Sequence, residues 1–250
     1  MDDPACAEED LRLALRDLGR INRVFGAHRF VRAYLDRAVR AAGHRRPGAG
    51  AFCLVDVASG GGDVAVAVAR WAARRNIAVR FVAVDRHATT TRLAREATRR
   101  HRGISVVRGD ARALPFADRT FDVGLCTLAL HHMRDDDAAL VLRELHRVAR
   151  RGFLAVDLVR GGMGHAAVWL LTRLSRSRVL RHDGPLSMRR ARSIEEYQRL
   201  AESSGIPDLR VSPLPGFRVS LARLQDAGAA PVTRAPHAPP PRRPGEEPRA

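Results

Sequence analysis

The 250-residue sequence predicts an α/β fold: a doubly wound, mostly parallel seven-stranded sheet with N-terminal helices before it and a C-terminal β-hairpin after it. Three observations predict it. From Ala51 onward, short apolar runs alternate with segments of helical period, the pattern of a parallel sheet covered by helices on both faces. The first apolar run ends in the cluster Gly60-Gly61-Gly62, which opens a helix. The first 42 residues, by contrast, show only helical spacing.

From Glu8 to Ala42, Leu11, Leu15, Leu18, Ile21 and Phe25, then Val31, Leu35 and Val39, recur every three or four residues, so two helices are expected with a break near Gly26. Residues Gly43 to Gly50, with Pro47, form a turn-rich link. The run AFCLVDVA is expected to be a buried strand. Val64–Arg75, Ala88–His101 and Asp135–Ala149 follow as helices. Val79–Val84, Ile104–Val107, Phe121–Leu125 and Gly152–Val159 follow as strands. The stretch Arg160–Arg192 is longer than a crossover needs and is expected to be a substrate lid, with an apolar helix at Ala166–Leu174 and then a basic loop. Ser193 begins a capped helix, with Glu196 three residues on and Gly205 as the stop. Leu209–Val211 and Arg218–Leu221 flank the turn PLPG as a final hairpin. Past Gln225 there is no apolar periodicity, and seven of the fourteen prolines fall there, so a disordered Pro/Arg-rich tail is expected. The chain thus divides into a helical cap at 1–45, one α/β domain at 46–225 with its insertion at 160–192, and the tail at 226–250.

Composition excludes several classes. The acidic start MDDPACAEED lacks a basic, apolar leader, and no apolar run is long enough to span a bilayer, so a cytoplasmic protein is expected. Cys6, Cys53 and Cys126 are too few and too scattered for a disulfide framework or a zinc site. The formal charge of +17 invites a nucleic-acid partner. Every basic residue is arginine, however, as in the codon usage of a GC-rich genome. In chain order Arg12, Arg16, Arg20, Arg23, Arg92, Arg95, Arg99 and Arg100 are spread along helices and form no single run with aromatics. A solvated basic surface is the expectation, with nucleic acid disfavoured. Nothing in the sequence speaks to oligomeric state.

The residues that carry chemistry sit at strand ends. In Asp56-Val57-Ala58-Ser59-Gly60-Gly61-Gly62, the glycines let backbone approach a ligand closely. The spacing Gly60-x-Gly62-x-x-Ala65 is shared with dinucleotide enzymes and with ligand-free tight turns. Asp85 closes the second strand, where a carboxylate accepts ribose hydroxyls, and Arg86 follows it. Asp110 and Ala111 close the third strand, where Asp110 is placed to accept from an adenine amine. Each acid is alternatively a helix N-cap. His131 and His132 follow the fourth strand and lack the partners of a metal site, so no metal is expected.

The array DVASGGGD (56–63), VAVD (82–85), GDARALPFADRTFDVGLCTLALHHM (109–133) and LRELHRVARRGFLAVDL (142–158) resembles the class I S-adenosylmethionine-dependent methyltransferases. Within them it is similar to the branch holding ubiquinone/menaquinone C-methyltransferases and small-molecule O-methyltransferases. The resemblance runs from about Phe52 to Leu221 and implies a Rossmann-like methyltransferase fold with S-adenosyl-L-methionine as cofactor. It implies that Asp56 and Ala58, Ser59, Gly60 and Gly62 lie against the methionine half, that Asp85 holds the ribose and Asp110 with Ala111 the adenine, and that Thr127 and Leu128 form the near wall. The first glycine of the family's loop is Ala58 here, which narrows backbone approach.

The expected activity is methyl transfer to a small apolar or phenolic acceptor, with O-methylation first. C-methylation of a quinone-type or polyketide substrate is the alternative, and an RNA-directed methyltransferase or RNA-binding module is a third class. His132 is the candidate base, with His131 beside it and His165 in the insertion as a weaker candidate. The competing role for the pair is shaping the pocket. The N-terminal helices and the insertion are expected to bind the acceptor.

Overall fold

A computed structural model describes residues 8–24, 26–44, 50–161, 173 and 177–225. Helices α1 (Glu8–Val24) and α2 (Ala27–Ala41) precede β1 (Phe52–Val57), α3 (Asp63–Arg74), β2 (Val79–Asp85), α4 (Ala88–Thr98) and β3 (Ile104–Arg108). Then come β4 (Phe121–Thr127), a 3-10 turn (Leu130–His132), α5 (Asp135–Val148) and β5 (Ala149–Leu158). The chain continues through α6 (Arg178–Arg190), α7 (Ile194–Ser203), β6 (Arg210–Leu214) and β7 (Arg218–Leu224).

The seven strands lie in the order β3-β2-β1-β4-β5-β7-β6. All pairings from β3 to β5 are parallel, and β7 runs antiparallel to both β5 and β6. Strand order therefore reverses beside β1, between β2 and β4. Crevices that hold ligands in such sheets open there, at the carboxyl ends of the strands.

Alternation along β1 explains the two-sided core. Phe52 and Leu54 join Val31, Leu35, Val64 and Trp71 of α2 and α3 on one face. Val55 and Val57 join Leu142, Leu145, Tyr197 and Leu200 of α5 and α7 on the other. The α2 helix thus shares its core with the sheet, and Tyr34 Oη donates to the Arg223 carbonyl of β7 at 2.5 Å.

Two elements depart from expectation. Arg178–Arg190, expected as basic loop, is helix despite Gly184 and Pro185, which disfavour helix locally. Packing decides it: Met188 is 1% exposed, and α6 lies against α1 and the 3-10 turn. The last strand extends to Leu224 because it pairs with β5 along its full length, from Arg218 opposite Leu158 to Leu224 opposite Gly152. Gly152 makes that pairing close: at φ +141°, a Cβ there would fall 2.0 Å from the Arg223 carbonyl oxygen. Expectation and structure agree at α7, where Glu196 N donates to Ser193 Oγ at 3.2 Å and Ser193 N to Glu196 at 2.6 Å, closing a capping box. The apolar helix at 166–174, His165, Cys6 and the tail at 226–250 lie outside the described residues, Arg173 excepted.

Candidate active site

A cavity of about 270 Å³ opens at the carboxyl ends of β1, β2 and β4. Asp56, Ala58, Ser59, Gly60, Asp85, Arg86, Asp110, Ala111, Thr127, Leu128 and His132 all line it, so most of the residues expected from the sequence converge. Gly62 does not. It sits at the N-cap of α3 with φ +77°, where a Cβ would press within 3.1 Å of the Thr98 methyl, so its task is close helix packing.

The β1–α3 loop is built around Asp85. Ser59 N donates to the Val84 carbonyl at 3.0 Å, and Gly60 N donates to Asp85 Oδ2 at 3.0 Å. His87 N donates to Asp85 Oδ1, also at 3.0 Å, so one carboxylate pins the glycine loop to the β2–α4 turn. Burial raises the Asp85 pKa, against the pull of these backbone bonds. Ala58 stands at φ +51° and Leu128 at φ +56°, both in the left-handed region and both at the cavity wall. Such strain costs about 1–2 kcal/mol per non-glycine residue, and it collects at sites where ligand position matters.

Buried polar atoms show what the cavity lacks. Asp56 is 1% exposed, and neither carboxylate oxygen has a hydrogen-bond partner among the described residues. Asn22 Oδ1, Ser59 Oγ and Thr127 Oγ1 are likewise buried and unpartnered, and all four residues line this cavity. Leaving a buried group unsatisfied costs roughly 1–3 kcal/mol, more for a charge. Burial holds the Asp56 carboxyl well above the usual carboxylate range, and Asp63 and Asp85 push it the same way. A cationic ligand with N–H donors would supply what the Asp56 carboxylate needs to carry its charge here.

The third strand end differs. Arg112 grips Asp110 through its backbone N–H at 2.9 Å and through its guanidinium at 2.7 Å, and reaches Asp137 at 2.9 Å. The Arg112 hydrogen bonds hold the Asp110 pKa below its ordinary value. Arg112 and Asp137 line the cavity and went unnoticed in the sequence.

At the β4 end the two histidines separate in role. His131 is 5% exposed and does not line the cavity. Its Nδ1 lies 2.6 Å from Asp157 Oδ1, and its backbone N–H donates to Asp157 Oδ2 at 3.0 Å. His132 is exposed at the cavity rim, its ring 4.0 Å from that of His131. Arg192 fixes this turn from the far end of α6, donating to the Leu130 and Met133 carbonyls at 2.8 Å and pairing with Asp135. Of the two histidines expected to carry acid–base chemistry, His131 is thus enclosed by Asp157 and the core, and His132 is the one that reaches the cavity. Asp157 and Arg192 carried no local signal as site residues.

Helix α1 supplies the cavity's roof through Leu11, Leu15, Leu18 and Asn22. Of the two N-terminal helices, α1 thus shapes the cleft at the glycine loop itself, while no residue of α2 lines it. Among the described residues no group of three or more His, Cys, Asp or Glu is placed to hold a metal. No described helix is long and apolar enough to cross a membrane. Cys53 and Cys126 lie on β1 and β4, where burial raises both thiol pKa values.

A reversed parallel sheet with a glycine loop at its switch point places the cleft where α/β proteins of this architecture bind ligands. Residues 55–156 match the family model described as a methyltransferase domain. The chain is 32% identical over 184 residues to the ubiquinone/menaquinone biosynthesis C-methyltransferase UbiE of Bradyrhizobium diazoefficiens, covering 72% of this chain and 67% of that one. The fold is shared with the DszA carbon methyltransferase (TM-score 0.61, 15% identity, 85% of this chain and 58% of that one). It is also shared with human N-acetylserotonin methyltransferase in complex with S-adenosylmethionine (TM-score 0.60, 16% identity, 88% and 57%). The chain belongs to the class I S-adenosylmethionine-dependent methyltransferases and is an enzyme of that class. Its matches span from 36% to 67% of the length of its curated relatives.

Proposed function

We propose that the enzyme methylates a ring carbon of a small phenolic or hydroquinone-type acceptor, with Asp56 receiving the amino group of S-adenosylmethionine, Asp85 the ribose and the Asp110–Ala111 turn the adenine. When bound, the cofactor supplies a methyl group on a sulfonium, already an excellent leaving group. The protein's work is then alignment and proton removal. His132 takes the phenolic proton, the resulting phenolate attacks the methyl through its ring carbon, and the ring regains aromaticity when that carbon loses its proton to solvent and the ring oxygen takes the proton back from His132. The observation that carries this reading is the exposed imidazole of His132 at the cavity rim, backed by His131 and the buried Asp157. The sequence alone favoured oxygen as the acceptor atom. Similarity to a C-methyltransferase over 72% of the chain moves the reading to carbon.

The test is product analysis followed by substitution. Incubation with cofactor and extract from the source cells should yield a product whose new methyl resonates as an aromatic C–CH₃, whereas a methyl ether would place the reaction on oxygen. His132→Ala should lower turnover by about 10²–10⁴-fold, with cofactor affinity within a few-fold and partial recovery at higher pH. Parallel loss of cofactor affinity and turnover would assign His132 to pocket architecture instead.

A further inference from the structure

A second concavity, of about 900 Å³, lies across α1 from the cofactor cleft, where α1 meets α3 and α4. Eight arginines line it against two carboxylates, Asp63 and Glu96. Both acids are already engaged, Asp63 by Asn22 and His28 and Glu96 by Arg12 and Arg92. Arg16 and Arg23 of α1, Arg70 and Arg74 of α3, and Arg99 after α4 are all exposed, and none has a carboxylate within 4.0 Å among the described residues. Arginines dispersed in the chain are gathered in space, because α1 folds back over the start of α3 and the end of α4.

We propose that this groove binds the phosphodiester backbone of a duplex nucleic acid without reading its sequence. Guanidinium groups match phosphate oxygens in two-point hydrogen bonds. Arg12, Arg16, Arg20 and Arg23 follow one another at four-, four- and three-residue steps on one face of α1, a row of about 16 Å at 1.5 Å per residue. Arg12 pairs with Glu96 and Arg20 with Asp17, so the phosphate count rests on the five guanidiniums without a carboxylate among the described residues, Arg16, Arg23, Arg70, Arg74 and Arg99, and is about five, more than the phosphate chain of a free nucleotide offers. Among the described residues no Phe, Tyr or Trp lines the groove, so these residues offer no stacking platform of the kind single-strand binders use. They also offer none of the aromatic anchors of a protein interface. The exposed large apolar side chains of the described residues are Leu140 and Phe217, neither in the groove, and a concave site without an apolar anchor does not suit a bilayer. The duplex lies on the arginine face of α1, and the leucine face of the same helix roofs the cleft at the glycine loop.

The experiment uses the full chain and a fluorescein-labelled 20-base-pair RNA duplex of arbitrary sequence, read by anisotropy from 50 to 200 mM KCl. Engagement of about five phosphates predicts a log–log slope of about −4 to −5, a loss of about 10²–10³-fold across that range. Substituting Arg16, Arg23, Arg70 and Arg74 together by Gln should reduce the slope's magnitude by about 3 to 4 and weaken binding at 50 mM salt by at least tenfold. A control removes the same charge at Arg80, Arg119, Arg199 and Arg210, none of which lines the groove. It should change the affinity only a few-fold. Equal loss in both variants, a wild-type slope near zero, or displacement of the duplex by equimolar nucleoside triphosphate or by phosphatidylserine vesicles would each overturn the proposal. The wild-type slope and the competition arms hold whether or not the fourfold variant folds.

Discussion

Asp56 and Asp157 are two fully buried carboxylates at the carboxyl ends of parallel strands, and they have opposite fates. Asp157 accepts from the His131 ring, from the His131 backbone N–H and from the Leu158 N–H at 2.7 Å. Burial works to raise its pKa, but the His131 charge and these bonds hold it below the ordinary value. Asp56 has no hydrogen-bond partner among the described residues, and burial pushes its pKa well up. A buried acid satisfied from within is scaffold, whereas one left short of donors is stabilised only when a ligand arrives.

The sharpest way to break this comparison is Asp157→Ala, which strands the buried His131 N–H, the partly buried Leu158 N–H and the His131 ring. It should cost about 3–5 kcal/mol of stability and should lower turnover through loss of His132 placement, as read by denaturant melts beside kinetics. An unchanged melt would show that Asp157 is dispensable scaffold.

Asp56→Asn should act in the other direction on the cofactor-free protein. Because the native pKa is raised, the folded state holds a proton that the unfolded chain has lost once pH exceeds about 3.8. Folding stability therefore falls as pH rises from there through the native pKa. The Asn variant escapes that penalty, so its melting temperature should exceed wild type at pH 7.5 by more than at pH 4.5. Its affinity for S-adenosylmethionine should drop by about 10–150-fold, the equivalent of about 1.5–3 kcal/mol for hydrogen bonds to a charged group. Calorimetry showing wild-type affinity would remove Asp56 from the cofactor site.

The smallest effect is expected at Ala58→Gly. The side chain is strained at φ +51°, and relief should stabilise the protein by about 1 kcal/mol, less the entropy of a freer unfolded chain. A lower melting temperature would show that the Ala58 methyl makes compensating contacts.

Much of the β1–β2 end was legible because its geometry is local. A strand, a turn and a helix in direct succession carry Asp56, Ser59 and Gly60 to the cleft whatever the rest of the chain does, and Asp85 ends the next strand. The basic stretch that became α6 misled for the complementary reason, since Gly184 and Pro185 speak against helix and only burial of Met188 and contact with α1 outweigh them.

What the sequence determined by itself was the alternating α/β pattern, the glycine loop, the three acids at successive strand ends and the Ser193–Glu196 cap, each written in neighbouring residues. Tertiary structure alone decided that Asn22 and Asp56 line one cavity across 34 positions, that Asp157 encloses His131 while His132 stands at the cavity rim, that Arg192 clamps the 3-10 turn, and that scattered arginines share one groove. These meetings depend on sheet order and on where α1 and α6 fold back. Such choices are made by burial of apolar faces across the whole chain, which leaves no local spacing to read.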